Sequence, residues 1–376
     1  MDKNEALKLK IVSSFQQQGF YANGHVSPAL STKAHLKLIH ELTRNEQITL
    51  QKDFLEKNFD IVSKYFLKTE INPENISLEL REVLPGSLES IIYRWWNLAW
   101  WSVPYQKSYG RQMRFLLWDK THNAPFGIIG LQSPILKMAV RDNFLKIPKA
   151  ELDFWINMSM QAQRLGALPP YNQLIGGKMV AMSLTSNELR KRYSEKYDSY
   201  KTIIKDRAIK SNLLFITTTS AFGRSSIYNR LNYHKEPVAY NLGFTKGSGS
   251  FHVTQELYTE IKSLLIDNNV NINTGFGNGP SRKIKLLEKA FTILNLKEYH
   301  YHNIQREFFF FPLAENYRKV IEEGEDVVYF DRPLTELTEY WKERWAIKRA
   351  NNEDNWKHFS FAEFTEKIQK EFNLTF

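Results

Sequence analysis

The chain has 376 residues, a net charge of +10, no cysteine, and 25 Phe, 18 Tyr and 9 Trp. That length suits two domains or one large domain with extensions. The missing cysteines exclude disulfides, thiolate metal sites and a cysteine nucleophile, and no apolar run approaches the roughly 18 residues of a membrane-spanning helix.

The opening "MDKNEALKLK" carries charges where a signal peptide needs an apolar centre. The expectation is a cytoplasmic protein with no membrane partner. Basic balance and many aromatics suit nucleic acid, because Lys and Arg neutralise phosphates and aromatic faces stack on bases. The other reading of the charge is ordinary basicity from a lysine-rich genome.

Residues 1–90 read as a helical N-terminal extension. In "SPALSTKAHLKLIHELTRNEQ", Ser31 is the N-cap candidate, and Leu36, Ile39 and Leu42 share one helix face. Pro85-Gly86 marks a break. "YRWWNLAWWSVPYQ" follows, with Trp95, Trp96, Trp100 and Trp101 as an aromatic plug between domains, or else a base-stacking surface. "RQMRFLLWDKTHNAPFGIIGL" holds two apolar runs, 113–118 and 126–131, around a polar turn, which predicts a β-hairpin. "ILKMAVRDNFL" predicts a helix, with Arg141-Asp142 a structural ion pair or an isolated acid near the core. "LDFWINMSMQAQRLGA" fits strand or helix. The corner "ALPPYNQLIGGKMVA" leads into another helix. "NLLFITTTS" is a buried β-branched strand, and "AFGRSSIYNRL" predicts a turn feeding a short helix. "VAYNLGF" and "SFHVT" predict two strands around a "TKGSG" turn. Then come the helix "QELYTEIKSLLID", the loop "NTGFGNGPSRK", the strand "REFFFFPL" and the helix "LTEYWKERWAIKRA".

This order predicts an α/β (α+β) protein with a mixed sheet. It divides into the extension at 1–90, an α/β core at 91–265, and a C-terminal α/β region at 266–376 packed on that core.

Four constellations could carry chemistry. A P-loop ending on Gly177-Lys178 needs glycine at 172, where Asn172 stands, and Met179 replaces its Ser/Thr. The corner is therefore no nucleotide-triphosphate loop. Gly176, Gly177 and Lys178 still suit an anion, or close helix packing. "TTTSAFGRSSIYNRL" gathers Ser225, Ser226, Arg224, Tyr228, Asn229 and Arg230 beyond the carboxyl end of a strand, where open α/β sheets bind ligands. Ser225 is equally an N-cap candidate. "LGFTKGSGSFHV" places His252, a candidate general base or a structural histidine, beside Lys246. "RKRYSEKYDSYKTIIKDRAIK" begins with Arg190, Lys191 and Arg192, a phosphate-backbone surface or a solvated face. No metal motif is present.

The segments "GRQMRFLLWD", "FGIIGLQSP", "LGALPPYNQLIGGKMVA", "TTTSAFGRSSIYNRL", "YNLGFTKGSGSFHV", "FGNGPSRK", "REFFFFPLAEN" and "YWKERW" together resemble the DruA family of the Druantia anti-phage defence system, over roughly residues 90–350. The resemblance implies a bacterial defence role beside partner subunits that include a helicase-like ATPase, with no settled activity. The 111–265 order is also similar to GNAT acyltransferases. That resemblance implies a coenzyme A pyrophosphate held at a Q/R-x-x-G-x-G/A helix start. Here Gln173, Gly176, Gly177 and Lys178 give Q-x-x-G-G-K.

The resulting expectation is a defence component that engages nucleic acid, expected to be DNA. Tyr171, Asn172, Gln173, Gly176, Gly177, Lys178, Arg190, Lys191, Arg192, Arg224, Ser226, Arg230 and Lys246 would hold phosphate. The alternatives are a GNAT-like transferase using Ser225, Tyr228 and His252, with a coenzyme A-type donor as its possible cofactor, and a scaffold subunit displaying the aromatic surfaces.

Overall fold

The computed structural model describes residues 2–67, 70–104, 108, 110–148, 151–201, 206–208, 211–273 and 282–376. Most of the glycine-rich run "NTGFGNGPSRK" lies outside the described residues.

A seven-stranded sheet organises the molecule. Its strands are β1 (Leu78–Glu82), β2 (Gln112–Asp119), β3 (Ala124–Gln132), β4 (Ser159–Ala167), β5 (Phe215–Thr219), β6 (Tyr240–Phe244) and β7 (Glu307–Pro312), in the spatial order β6-β7-β5-β4-β3-β2-β1. The fold is mixed α/β. Neighbours are antiparallel except β4 and β5, which run parallel. β1 comes from residues 1–90 and β7 from 266–376, so all three regions contribute to one sheet.

The principal helices are α1 (Lys3–Gln17), α2 (Lys33–Thr49), α3 (Leu88–Ala99), α4 (Gly176–Met182), α5 (Asn187–Tyr197), α6 (Gln255–Asp267), α7 (Arg282–Ile293) and α8 (Leu334–Trp341). Side chains alternate across the sheet, so each strand feeds two layers. Met113, Phe115 and Leu117 of β2 join α4, α5 and α8, whereas Leu116 and Trp118 join Trp95 and Trp96 of α3. The run Phe308–Phe311 is apolar throughout because both faces of β7 are covered: Phe309 and Phe311 face α4 and α8, and Phe310 packs on Phe215. These phenylalanines and Trp95, Trp96 and Trp341 are core, not a display surface.

A second body lies beside the sheet. α1, α2, α6 and α7 enclose Phe15, Ile39, Phe251, Leu287 and Phe291. Here the sequence reading needs three corrections. The N-cap of α2 is Thr32, whose Oγ1 accepts from His35 N at 3.3 Å, not Ser31. Leu36 and Ile39 are buried, but Leu42 is 44% exposed, because His40 and Thr43 complete the buried face instead. Residues 250–254 form no strand. The carbonyls of Phe251 and His252 accept from Thr43 Oγ1 and Gln18 Nε2, both at 2.9 Å, and a turn closes from Val253 N to Ser250 O.

Candidate functional site

β4 and β5 pair from Ser159–Phe215 to Ala162–Thr218, and β4 then runs on to Ala167 beside β3 only. After β4 the chain passes through a cis Pro169–Pro170 peptide and a turn at Tyr171–Leu174. Ile175 has a left-handed φ of 60°, and α4 follows. After β5, residues 221–230 make bends and turns, and the short helix expected after the turn does not form. Gly223 and Arg230 have φ of 62° and 61°, which a right-handed helix does not permit.

One carboxylate organises those turns. Glu307 is 4% exposed at the start of β7. Its Oε2 accepts from Ser225 N at 2.7 Å and Asn229 Nδ2 at 3.0 Å, and its Oε1 accepts from Asn241 Nδ2 at 3.0 Å. This sets Ile227 over the start of α4. The Ile227 carbonyl accepts from Lys178 Nζ at 3.0 Å. A Cβ at Gly177 would meet only the Ile227 side chain at 3.1 Å, whereas one at Gly176 would strike the Tyr171 carbonyl oxygen at 2.5 Å. Gly176 is therefore required for the helix to reach the sheet, and Gly177 makes room for the turn.

The opposite wall comes from the C-terminal helix. Trp341 Nε1 donates to the Ile175 carbonyl at 3.2 Å, fixing α8 against the corner. The helix then widens into a π turn at Lys342–Ala346. Such turns rotate side chains out of the α register and recur at functional sites. Lys342 points inward, to the Glu74 carbonyl at 2.9 Å, while Arg344 and Trp345 face the 225–234 turns.

Between these walls lies a cleft of about 330 Å³. Lys178, Arg230 and Arg344 supply its charge; Ser226, Asn229, Asn232 and His234 its neutral polar groups; Tyr340 and Trp345 its aromatic rings. None of these lining residues is Asp or Glu. Lys178 Nζ sits 5.3 Å from the Trp345 ring centroid. Burial lowers the Lys178 pKa from its ordinary value, and nearby Arg344 lowers it further. An anion between the two cations would relieve that repulsion.

A family model described as "Druantia protein DruA" matches residues 31–323. The chain belongs to the DruA family. A curated relative, the Druantia protein DruA of Escherichia coli (strain UMEA 4076-1), is 32% identical over 352 residues, covering 92% of this chain and 87% of the relative. No solved structure matches. Of the cleft residues in this DruA-family chain, Lys178 and those at 226–234 fall inside the family match, whereas Tyr340, Arg344 and Trp345 lie beyond its end.

The cleft gathers four of the residues singled out from the sequence: Lys178, Ser226, Asn229 and Arg230. The others lie elsewhere or do structural work. Tyr171 is fully buried, and its hydroxyl donates to Asp119 Oδ2 at 2.9 Å; burial first and Asp119 second push its pKa up. Asn172 is exposed, and Gln173 is half-buried with its Oε1 in the interior. Arg190 stacks 4.1 Å over the Tyr329 ring. Lys191 and Arg192 share Glu195, at 4.0 and 3.2 Å. Arg224 and Lys246 are exposed.

The expected catalytic set is dispersed. Ser225 Oγ accepts from Ile227 N and Tyr228 N at 3.2 and 3.4 Å, a turn cap. Tyr228 is buried against Phe309, centroids 5.0 Å apart, and burial raises its pKa. His252 lies in the second body, its Nε2 donating to the Tyr299 carbonyl at 3.0 Å. It does not face the cleft. Arg141 and Asp142 form the expected structural pair, with Nε to Oδ1 at 2.8 Å. Among the described residues there is no metal-binding cluster, and no helix is long and apolar enough to cross a membrane.

Sequence reasoning missed Glu307, Asn232, His234, Tyr340, Arg344 and Trp345. The last three stand in "YWKERW", which carried the family resemblance. Its alternation of aromatic and basic residues was the available signal.

Proposed function

We propose that this protein serves the Druantia defence system by engaging nucleic acid, with a backbone phosphate held between Lys178, Arg230 and Arg344. It works beside the other subunits of that system, a helicase-like ATPase among them. The observation that carries this reading is three cations converging on one cleft with no carboxylate among its lining residues. Guanidinium groups grip phosphate through paired hydrogen bonds, and an ammonium adds a point charge. At the start of α4 the contribution comes from the Lys178 side chain, since Ile227 packs over Gly177.

The test is binding of a DNA oligonucleotide at two salt concentrations, for wild type and for K178A combined with R344A. Each phosphate contact contributes about −0.7 to −0.9 to the slope of log affinity against log salt. The double variant should bind more weakly and lose roughly 0.7 to 0.9 from that slope, because the cleft holds one phosphate. Changing Lys191 and Arg192 to Ala should matter less, because Glu195 already offsets them. Wild-type affinity and slope in the cleft variant would refute the reading.

A second reading is a GNAT-like transferase. It is favoured by the antiparallel strands leading into one parallel pair, β4 and β5, whose pairing ends early, with a helix following β4. On that reading acetyl-coenzyme A gives saturable binding by calorimetry and competes with DNA for the cleft. The nucleic-acid reading expects no saturable heat.

A further inference from the structure

We infer that the cleft recognises a nucleotide whose base is unpaired, so that the protein prefers single-stranded nucleic acid to duplex. This rests on the phosphate reading above and adds the other half of the ligand. The cations share the cleft with aromatic rings, and Lys178 Nζ lies 5.3 Å from the centre of one of them, Trp345. Tyr340 and Trp345 meet edge to face with centroids 5.6 Å apart, and His234 lies 5.0 Å from Tyr340. Tyr233 closes the cluster at 5.2 Å from Tyr340. Trp345 and Tyr340 are only half-buried, so their rings are partly exposed beside the cations.

A phosphate alone needs no such surface. A nucleotide does: its phosphate is held by charge, and its base gains by stacking on an aromatic face. A base in a duplex keeps both faces inside the stack and offers only its edges to a protein. A cleft of about 330 Å³ is at the small end of ligand sites and matches one nucleotide rather than a duplex. Ser226 and Asn232 line the same space and carry the donors and acceptors that a base edge or sugar hydroxyl takes up.

Stacking is indifferent to the identity of the base, because every base has a π face. The preference is therefore for strand state before sequence. Deoxyribose and ribose strands share this chemistry, and the test separates them.

The test is fluorescence anisotropy at one fixed salt concentration with three probes, a short oligo-dT strand, an oligo-U strand of equal length and a duplex of the same length, and two competitors, inorganic phosphate and thymidine monophosphate. Wild type should bind a single strand about tenfold or more tighter than duplex, and the mononucleotide should compete better than phosphate. W345A should lose about tenfold on single strands and change little on duplex. W345F, which keeps a ring, should retain most of the preference. Thermal unfolding of each variant reports whether it folds, and Y340A repeats the loss from a second ring.

Equal binding of duplex and single strand by wild type overturns the inference. So does W345A weakening both forms alike. In both cases phosphate binding survives if K178A with R344A still abolishes affinity. Absence of binding to every probe removes the phosphate reading, and this inference falls with it.

Discussion

Glu307→Ala should destabilise the protein by about 3–5 kcal/mol and remove the affinity of the cleft. The carboxylate is 4% exposed and accepts three hydrogen bonds, from the Ser225 amide, Asn229 and Asn241. Hydrogen bonds to a charged group contribute about 1.5–3 kcal/mol each, and a donor left unsatisfied in the interior adds its own desolvation cost. Truncation leaves a void among donors that water or movement of the turn must fill. The turn is what carries Ser226, Asn229 and Arg230 into the cleft, and its Ile227 carbonyl holds Lys178. Stability and binding should therefore fall together. Glu307→Gln keeps one acceptor oxygen but turns an amide N–H toward donors, so it should lose about 1–2 kcal/mol and part of the affinity. Denaturant midpoints with nucleic-acid titrations check both. A destabilised variant that binds as wild type does would show that Glu307 supports the fold without positioning the cleft.

Local pattern made most of the sheet legible. The two apolar runs at 113–118 and 126–131 became β2 and β3, and "FITTT" and "EFFFFP" became β5 and β7, because burial on both faces leaves a continuous apolar signature. What failed depends on distant partners. Residues 221–231 read as a turn feeding a short helix, but the Ser225 amide and the Asn229 side chain are held by Glu307, about 80 positions onward in the chain, and Gly223 and Arg230 take left-handed backbone. Residues 250–254 alternate like a strand, yet Thr43 and Gln18 claim the carbonyls a neighbouring strand would need. The cleft was half legible for the same reason. Lys178, Ser226 and Arg230 stand in short segments whose glycines and hydroxyls announce a turn beside a strand end. Arg344 and Trp345 stand in an amphipathic helix, and nothing in its period says that a π turn rotates them toward residues more than a hundred positions earlier.

Acidification should loosen the second body at a pH where most of its ion pairs persist. His40, His252 and His302 are each 0–4% exposed and lie within one cluster. Their bonds fix the neutral ring. His40 Nδ1 donates to the Leu36 carbonyl at 2.6 Å, so its Nε2 must accept from the Arg306 guanidinium at 2.8 Å, which can only donate. His302 Nδ1 accepts from Ile304 N at 3.1 Å. Protonation would set a proton against a donor in both rings. Burial, with Arg306 beside it, holds the His40 pKa down to about 3. Burial lowers His252 to about 4, Lys283 and His300 reinforcing it against the favourable Tyr299 carbonyl. His302 falls well below its ordinary value through burial, with His252, Arg306 and His40 adding to it. The sign follows from linkage. Unfolded histidine titrates near 6.5, so below that pH the unfolded chain binds protons that the fold refuses. The stabilisation is complete above about pH 6.5 and is lost as pH falls toward the folded values. Each histidine contributes a slope of up to about 1.4 kcal/mol per pH unit, and three acting together about 4. Urea midpoints should drop steeply between about pH 6.5 and pH 4, with proteolysis appearing first in α1, α2, α6 and α7. His252→Gln, whose amide N–H can replace the bond to Tyr299, should flatten the profile by one proton. A midpoint that stays level across that interval would mean the cluster opens to water or takes up protons without unfolding.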